Sequence, residues 1–351
     1  MHPRNTTFSH ERPPFAQQPV VILGAGIIGC ATAHGLLSKG YSVMLVGEFL
    51  PGDRNIYYAS NWAGAAWHAG PNLSSEHKQL QATTYRYLFK MVKDGPESGV
   101  CVVDCVEYFR EKPGPDSALW GKNVVGSQNQ CRLQLPPGSQ YQEAWWSKTL
   151  VTDPTKHMPY ISGRIGSMGG KFIRHRVASL AELYDMFPQS TVFINASGIG
   201  SRELKDVQDM SCFPERGRDY TYVIPRPYSG GVILGGVKQP HILDEEPDMK
   251  IAAEEIARTH ALVPEVVPAK PREADLEYIV GIRPQREGGF RIARQDLGER
   301  VVISAYGFGG NGFAFSYGVA DTVVKMVEQV ELERVCVPFE GVDGTATRAC
   351  L

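Results

Sequence analysis

A glycine-rich turn after the first apolar run constrains the fold of this 351-residue chain more than any other feature. Val20-Val21-Ile22-Leu23 is short and fully apolar, which is typical of a parallel strand covered on both faces. Gly24-Ala25-Gly26-Ile27-Ile28-Gly29 follows, and helix-forming residues then continue to Gly40. Since Tyr41–Val46 is a second apolar run, the segment predicts a strand, a helix and a strand that together bind a dinucleotide.

Each glycine of the turn has a physical role. Gly24 permits the tight turn, Gly26 lets the backbone approach a pyrophosphate, and Gly29 lets helix and strand pack closely. The start of the helix presents free N–H groups and a positive dipole end to the phosphates. We therefore expect Gly24, Ala25, Gly26, Ile27 and Ile28 to contact the cofactor.

An acidic residue follows the second predicted strand. Glu48 is placed to accept the ribose hydroxyls of FAD or NAD, and the alternative is that it is only a solvated surface charge. The motif therefore leaves the identity of the dinucleotide open.

Composition limits the classes of partner. The length favours two structural units, and a net charge of -2 gives no field suited to nucleic acid or anionic lipid. No run is apolar enough to span a bilayer, so we expect no membrane association. The seven cysteines form no Cys-x-x-Cys pair and the nine histidines are scattered, which argues against a disulfide framework or a metal site. The partner is therefore expected to be a small molecule.

Periodicity and turn residues place further elements along the chain. The predicted helices are Gln79–Val92, Pro159–Gly169, Met249–Leu262 and Gly312–Val330. The predicted strands are Val100–Arg110, Lys171–Val177, Thr191–Asn195 and a hairpin formed by Tyr220–Pro225 and Val232–Gly236.

Three further motifs follow the glycine-rich turn in order. Ala59–Trp67 is a loop of small residues, which suits close approach of the backbone to a planar ring system. Tyr220–Pro227 and Gly281-Ile282-Arg283-Pro284 pair tyrosines with an arginine, and Tyr306–Phe313 is a glycine-rich turn before the last helix. From Pro19 to Val330 the chain resembles the D-amino-acid oxidase family, which includes D-aspartate oxidase.

The resemblance implies an α/β fold. A Rossmann-like FAD-binding domain would lie beside a second, mixed-sheet α+β substrate domain. The predicted FAD-binding domain comprises residues 19–95, 155–211 and 290–335, and the substrate domain comprises 96–154 and 212–289. Residues 1–18 would be a disordered extension and 336–351 a C-terminal tail.

The resemblance also implies FAD as cofactor and a set of contacts to it. Ser60, Ala63, Gly64 and Ala65 would lie against the flavin, and the backbone of Val177 would meet the adenine side. Another pair, Ser197 and Gly198, would pass near the phosphates and ribitol. The last turn would stabilise negative charge on the reduced flavin pyrimidine, through Gly309, Gly310, Asn311, Gly312 and Phe313.

Four residues are implied to be catalytic. Arg283 and Tyr222 would hold the substrate carboxylate, since a planar guanidinium can bind both oxygens. Gly310 belongs to the turn beneath the flavin. Lys238 occupies a position where oxidases of neutral D-amino acids often have tyrosine and D-aspartate oxidases have arginine. The alternatives are an interface aromatic at Tyr222, a surface ion-pair residue at Arg283, a solvated strand-end charge at Lys238 and a simple hinge at the Gly309-Gly310 turn.

The predicted reaction is FAD-dependent oxidative deamination of a D-amino acid by O₂, which gives the α-keto acid, ammonia and hydrogen peroxide. A D-aspartate oxidase is one alternative, because of Lys238, and an NAD-dependent dehydrogenase is another. A catalytically inactive FAD-binding protein is a third, because family members carry an additional strand in the segment that is short here between Gly217 and Tyr222.

Two further hypotheses concern assembly and location. A homodimer is compatible with the resemblance. The terminal Ala349-Cys350-Leu351 lies where the family often has a peroxisomal tripeptide, but Cys350 replaces its basic middle residue. The peroxisomal matrix and the cytoplasm therefore both remain open.

Overall fold

The computed structural model describes residues 18–114, 117–214, 220–238 and 245–335. The predicted N-terminal extension, apart from Gln18, and the predicted tail 336–351 with its terminal tripeptide lie outside these ranges. Residues 218 and 219 of the short segment before Tyr222 lie outside them as well.

Among the described residues the α-helices are α1 (Ile27–Ser38), α2 (Ala59–Trp62), α3 (Ser75–Met91), α4 (Gly95–Ser98), α5 (Lys122–Val125), α6 (Pro154–Ser167), α7 (Leu180–Met186), α8 (Met249–Leu262) and α9 (Gly312–Val335). The strands are β1 (Val20–Leu23), β2 (Val43–Gly47), β3 (Val100–Phe109), β4 (Gln130–Leu133), β5 (Glu143–Thr152), β6 (Lys171–Arg174), β7 (Val192–Asn195), β8 (Cys212–Pro214), β9 (Tyr222–Pro225), β10 (Val232–Gly235), β11 (Pro284–Arg286), β12 (Arg291–Leu297) and β13 (Arg300–Tyr306).

A six-stranded sheet has the order β12-β13-β7-β1-β2-β6. Five neighbouring strands run parallel, namely β13, β7, β1, β2 and β6. The edge strand β12 pairs antiparallel with β13. Alternate residues of β1 enter two different cores, Val20 and Ile22 with α1 and α9, and Val21 and Leu23 with α7. Helices therefore cover both faces, which explains why β1 is a continuous apolar run.

The remaining strands form three small antiparallel sheets. β3, β5 and β4 form one in the order β3-β5-β4, β9 pairs with β10, and β8 pairs with β11. In β3 the side chains alternate in exposure, as expected of a sheet with one solvated face. A Rossmann-like unit thus lies beside antiparallel sheets, in agreement with the predicted fold class. The domain boundaries stay a prediction.

Two helices begin earlier than predicted, at Ser75 and not Gln79, and at Pro154 and not Pro159. The helix predicted from Pro159 begins at Pro154, where the Asp153 carboxylate accepts a hydrogen bond from the Thr155 N–H. An aspartate cap followed by proline at the first helical position is a strong start signal, because that proline has no N–H to leave unsatisfied. Pro159 lies inside the helix.

Within the described ranges no helix is long and apolar enough to cross a bilayer. The same residues contain no group of three or more histidine, cysteine, aspartate or glutamate side chains arranged to hold a metal ion. Five cysteines in these ranges are free thiols: Cys30, Cys101, Cys105, Cys131 and Cys212.

Candidate active site

A cleft of about 2350 Å³ lies over the carboxyl ends of β1, β2, β7 and β13. This is the edge of a parallel α/β sheet where ligands bind. The structure brings all the predicted site residues to the walls of this one cleft, namely Gly24, Ala25, Gly26, Ile27, Ile28, Glu48, Ser60, Ala63, Gly64, Ala65, Val177, Ser197, Gly198, Tyr222, Lys238, Arg283, Gly309, Gly310, Asn311, Gly312 and Phe313. Their individual roles stay predictions.

The turn between β1 and α1 has room only for glycine. Gly24 has a φ of +104°, and a Cβ there would lie 2.3 Å from the Ala196 carbonyl oxygen. A Cβ at Gly29 would lie 1.9 Å from the Gly24 carbonyl oxygen, inside van der Waals contact. Gly26 is the N-cap of α1 and has no side chain of its own to cap the helix. A bare cradle of backbone at a helix start fits the pyrophosphate of FAD.

Glu48 follows β2 at the other side of this turn. One of its carboxylate oxygens is 3.7 Å from Arg176 Nε, and the Arg176 Nη2 is 3.0 Å from Glu203 Oε2. All three side chains are largely exposed. Glu48 is therefore part of a surface ion-pair chain at the rim of the cleft.

Residues 59–67, here called the flavin loop, were predicted as a loop throughout, but Ala59–Trp62 form the short helix α2. The segment is fixed from several sides. The Ile27 N–H donates to Ser60 Oγ at 2.9 Å, which joins the loop to the first turn of α1. The Thr152 N–H donates to the Ala65 carbonyl at 2.9 Å. A Cβ at Gly64 would lie 2.7 Å from Ile224 Cδ1, so this glycine lets the loop lie directly on β9.

The predicted carboxylate-binding pair is assembled. Arg283 Nη2 donates to the Tyr222 hydroxyl at 3.2 Å, and Arg283 Nη1 donates to the Val237 carbonyl at 2.9 Å. Gly235 and Gly236 leave space for the Tyr222 ring, since a Cβ at either would approach it to 2.4 and 2.8 Å. Burial raises the pKa of Tyr222 although the charge of Arg283 opposes it, so the phenol stays protonated near neutral pH.

Lys238 lies beside this pair. Its Nζ is 4.8 Å from the centre of the Tyr220 ring, within the range of a cation–π interaction. The Tyr220 and Tyr222 rings are 5.1 Å apart. The ammonium group is thus held on an aromatic cluster that also contains the predicted carboxylate-binding phenol.

The last glycine-rich turn is supported by residues that the sequence analysis did not select. Asp209 accepts hydrogen bonds from Arg286 Nε at 2.8 Å and from the Tyr306 hydroxyl at 2.9 Å. Burial would raise the pKa of Asp209, but these hydrogen bonds and the charge of Arg286 lower it overall. Gly307 packs on Arg286, where a Cβ would lie 2.6 Å from the Arg286 Cβ. No sequence signal links Asp209 to residues so distant in the chain.

A second missed pair lies behind the flavin loop. Arg226 Nη1 is 3.1 Å from Asp153 Oδ1, and both side chains are almost fully buried. Arg226 Nη2 donates to the Ala63 carbonyl at 2.8 Å. The aspartate-proline sequence at residues 153–154 was a usable signal for the helix cap, but it gives no hint of the arginine.

The family model described as FAD dependent oxidoreductase matches residues 19–326. The chain belongs to the FAD dependent oxidoreductase family. FAD is accordingly its cofactor, and the NAD-dependent alternative is excluded.

Individual relatives agree with this membership. The chain is 28% identical over 340 residues to a D-amino-acid oxidase of Schizosaccharomyces pombe, which covers 89% of this chain and 97% of the relative. It is also 28% identical over 362 residues to a D-aspartate oxidase of Talaromyces thermophilus, covering 89% and 95%. The crystal structure of glycine oxidase from Geobacillus kaustophilus has the same fold, with a TM-score of 0.66, 16% identity and coverage of 88% and 94%. The resemblance inferred from the motifs is confirmed.

Proposed function

We propose that this FAD-dependent oxidoreductase converts D-amino acids to α-keto acids, ammonia and hydrogen peroxide. The observation that carries the proposal is the hydrogen bond between Arg283 and Tyr222, in the cleft that also contains the turn from Gly24 to Gly29. A guanidinium and a phenol at that place suit a substrate carboxylate. The D-amino-acid oxidase of Schizosaccharomyces pombe supports the same substrate class.

Bound FAD would supply the hydride acceptor and would transfer the electron pair to O₂. In this proposal the turn from Gly24 to Gly29 holds its pyrophosphate and Glu48 its ribose. The flavin loop and the turn from Gly309 to Phe313 would hold the isoalloxazine, since both line the same cleft.

The chain contributes orientation to the reaction. Arg283 and Tyr222 fix the carboxylate, and the hydride leaves Cα of the neutral amine, so that an imino acid forms and water hydrolyses it. With the carboxylate fixed, only one enantiomer directs its Cα–H bond at the acceptor while its side chain occupies the pocket. Rate acceleration then rests on positioning and electrostatics, with no protein base needed.

Peroxide release tests the proposal with a panel of D-amino acids and their L-enantiomers. We expect activity with D-enantiomers alone. In Arg283→Lys the value of kcat/KM should fall about 100-fold or more, because lysine cannot bind both carboxylate oxygens. Arg272→Lys is the matched control, since Arg272 is exposed and forms a surface ion pair with Asp275, and it should retain wild-type kinetics.

Three results would count against the proposal. Equal activity with L-enantiomers would remove the geometric argument, and an unaffected Arg283→Lys enzyme would remove the carboxylate site. A yellow protein whose FAD no amino acid reduces would identify the catalytically inactive variant instead, which the short segment before Tyr222 favours.

A preference for acidic D-amino acids is the second candidate. It is supported by the Lys238 ammonium above the Tyr220 ring and by the D-aspartate oxidase of Talaromyces thermophilus. A cation there would attract a second carboxylate. We expect Lys238→Tyr to lower the kcat/KM ratio of D-aspartate to D-alanine, and an unchanged ratio would assign Lys238 to a purely structural role.

O₂ as acceptor, a homodimer and peroxisomal import belong to the same proposal. They rest on the resemblance and, for import, on the position of Ala349-Cys350-Leu351. Stoichiometric peroxide, the mass in solution and the location of a variant that lacks the tripeptide would test them in turn.

A further inference from the structure

A buried ion pair lies behind the flavin loop, at the junction of the six-stranded sheet's helices with the β9–β10 hairpin. Its members, Arg226 and Asp153, are 6% and 0% exposed. Removing two charges from water costs several kcal/mol per ion unless their geometry is good and their hydrogen bonds are satisfied. Such a pair needs a role that two apolar residues could not perform.

Asp153 is fully engaged. Besides Arg226, it accepts hydrogen bonds from Ser229 Oγ at 2.5 Å and from the Thr155 hydroxyl at 2.7 Å and N–H at 3.1 Å. Burial would raise the pKa of Asp153, but these hydrogen bonds and the charge of Arg226 lower it overall. The carboxylate is therefore a fixed anion at the start of α6.

The guanidinium of Arg226 contacts two different groups, the Asp153 carboxylate and the flavin loop. Nη1 faces Asp153, whereas Nη2 donates to the Ala63 carbonyl at 2.8 Å. Among the described residues the buried Nε atom has no hydrogen-bond partner, so the protein satisfies only part of the guanidinium. The backbone of Arg226 also bonds to Gly230 and Gly231, so the same residue closes the β9–β10 turn.

Peptide geometry converts this contact into a constraint on the cleft. A trans peptide places its C=O and the following N–H on opposite sides. With the Ala63 carbonyl bound to Arg226, the Gly64 N–H points away from the guanidinium. The Thr152 N–H holds the Ala65 carbonyl in the same manner, and Gly64 and Ala66 both line the cleft.

We propose that Arg226, anchored by Asp153, is a positioning residue that orients the Ala63–Gly64 peptide so that the Gly64 N–H is a donor to bound flavin. Arg226 also fixes the spacing between the flavin loop and Tyr222, which lies four residues earlier on β9. The inference rests on the proposed placement of the flavin loop against the isoalloxazine. It does not depend on which substrate is oxidised.

Arg226→Lys is the main test. Lysine keeps the positive charge beside Asp153 but cannot span Asp153 and the Ala63 carbonyl together. The matched control, Ser229→Ala, removes a donor to Asp153 and leaves the bond to Ala63 untouched. FAD release from the purified holoprotein, the visible flavin spectrum and Tm are measured for both variants.

We expect Arg226→Lys to raise the Kd for FAD about tenfold or more and to shift the flavin absorption bands, as the loss of a charge-assisted hydrogen bond implies. Ser229→Ala should lower Tm with a Kd for FAD within about twofold of wild type. If both variants lower Tm alike and leave the Kd and the spectrum unchanged, Arg226 is only structural and the proposal is wrong.

A measurement on the wild-type protein tests the proposal even if the Arg226→Lys variant does not fold. Hydrogen exchange of the peptide that contains residues 59–67 is compared in the presence and absence of FAD. Slower exchange with FAD is expected if Gly64 donates to it, and equal exchange would overturn the proposal. FAD affinity, the flavin spectrum, Tm and hydrogen exchange are all measured without turnover. A negative result for the role of Arg226 is therefore distinct from a failure of the protein to oxidise D-amino acids.

Discussion

The two sides of the cleft are built in different ways. In β1, which carries the glycine-rich turn, all four residues are buried, whereas all four residues of β9, which carries Tyr222, are only partly buried. The cofactor side is shaped by backbone packed in a parallel sheet. The proposed substrate side is held by side-chain contacts such as those of Arg283 with the Val237 carbonyl and the Tyr222 hydroxyl. The cofactor side should therefore tolerate changes of surface charge but no added atom in its turn.

The largest effect is expected from one methyl group in the turn. In Gly29→Ala the new Cβ would lie 1.9 Å from the backbone oxygen of Gly24. A backbone atom inside a packed core can move away only at a large cost in free energy. We expect a protein without bound FAD, or no folded protein, as measured by visible absorbance and Tm. Gly163→Ala is the control, since nothing lies within 4 Å of a Cβ at that position of α6. A yellow Gly29→Ala protein with wild-type Tm would mean that the turn is less rigid than its packing implies.

The same contrast explains what the sequence could predict. The apolar run of β1, the glycine spacing and the helix Met249–Leu262 follow from local patterns, and the structure has them where they were predicted. The polar pairs that support the site join residues that are far apart, as Arg226 and Asp153 are separated by 73 positions. Periodicity carries no information about such contacts. Tyr222 and Arg283 were predicted to act together because the family resemblance pairs their motifs. Secondary-structure propensities alone do not predict that pairing.

The pH dependence of the free energy of unfolding distinguishes two buried groups of α6 and its N-cap, His157 and Asp153. His157, buried on α6, contacts the Ser98 carbonyl and the Tyr317 hydroxyl, each at 2.8 Å, and burial lowers its pKa to about 4. The unfolded chain binds this proton from about pH 6.5 downward, whereas the folded protein does so only near pH 4, so stability is lost as the pH falls between these values. The loss should reach on the order of 3 kcal/mol.

Urea unfolding at pH 7 and pH 4.5 measures this loss, and His157→Gln should remove most of it because glutamine does not titrate. The Asp153 carboxylate behaves differently. Its pKa is lowered in the folded protein, so its contribution persists above its ordinary pKa and is lost only at lower pH. A His157→Gln protein that loses as much stability as wild type between pH 7 and pH 4.5 would show that His157 is not the group responsible for the loss.

The smallest effect is expected at the rim of the cofactor side. Arg176 forms its ion pairs with Glu48 and Glu203 while its own side chain is 69% exposed. Exposed pairs contribute little because water screens them and their side chains lose entropy. Arg176→Gln should change the Kd for FAD by less than about fivefold and weaken its dependence on salt. Titration of the FAD-free protein at two salt concentrations tests this. A much larger change would show that the adenosine end is held by side-chain charge, and the contrast between a backbone-defined cofactor side and a side-chain-defined substrate side would then fail at that end.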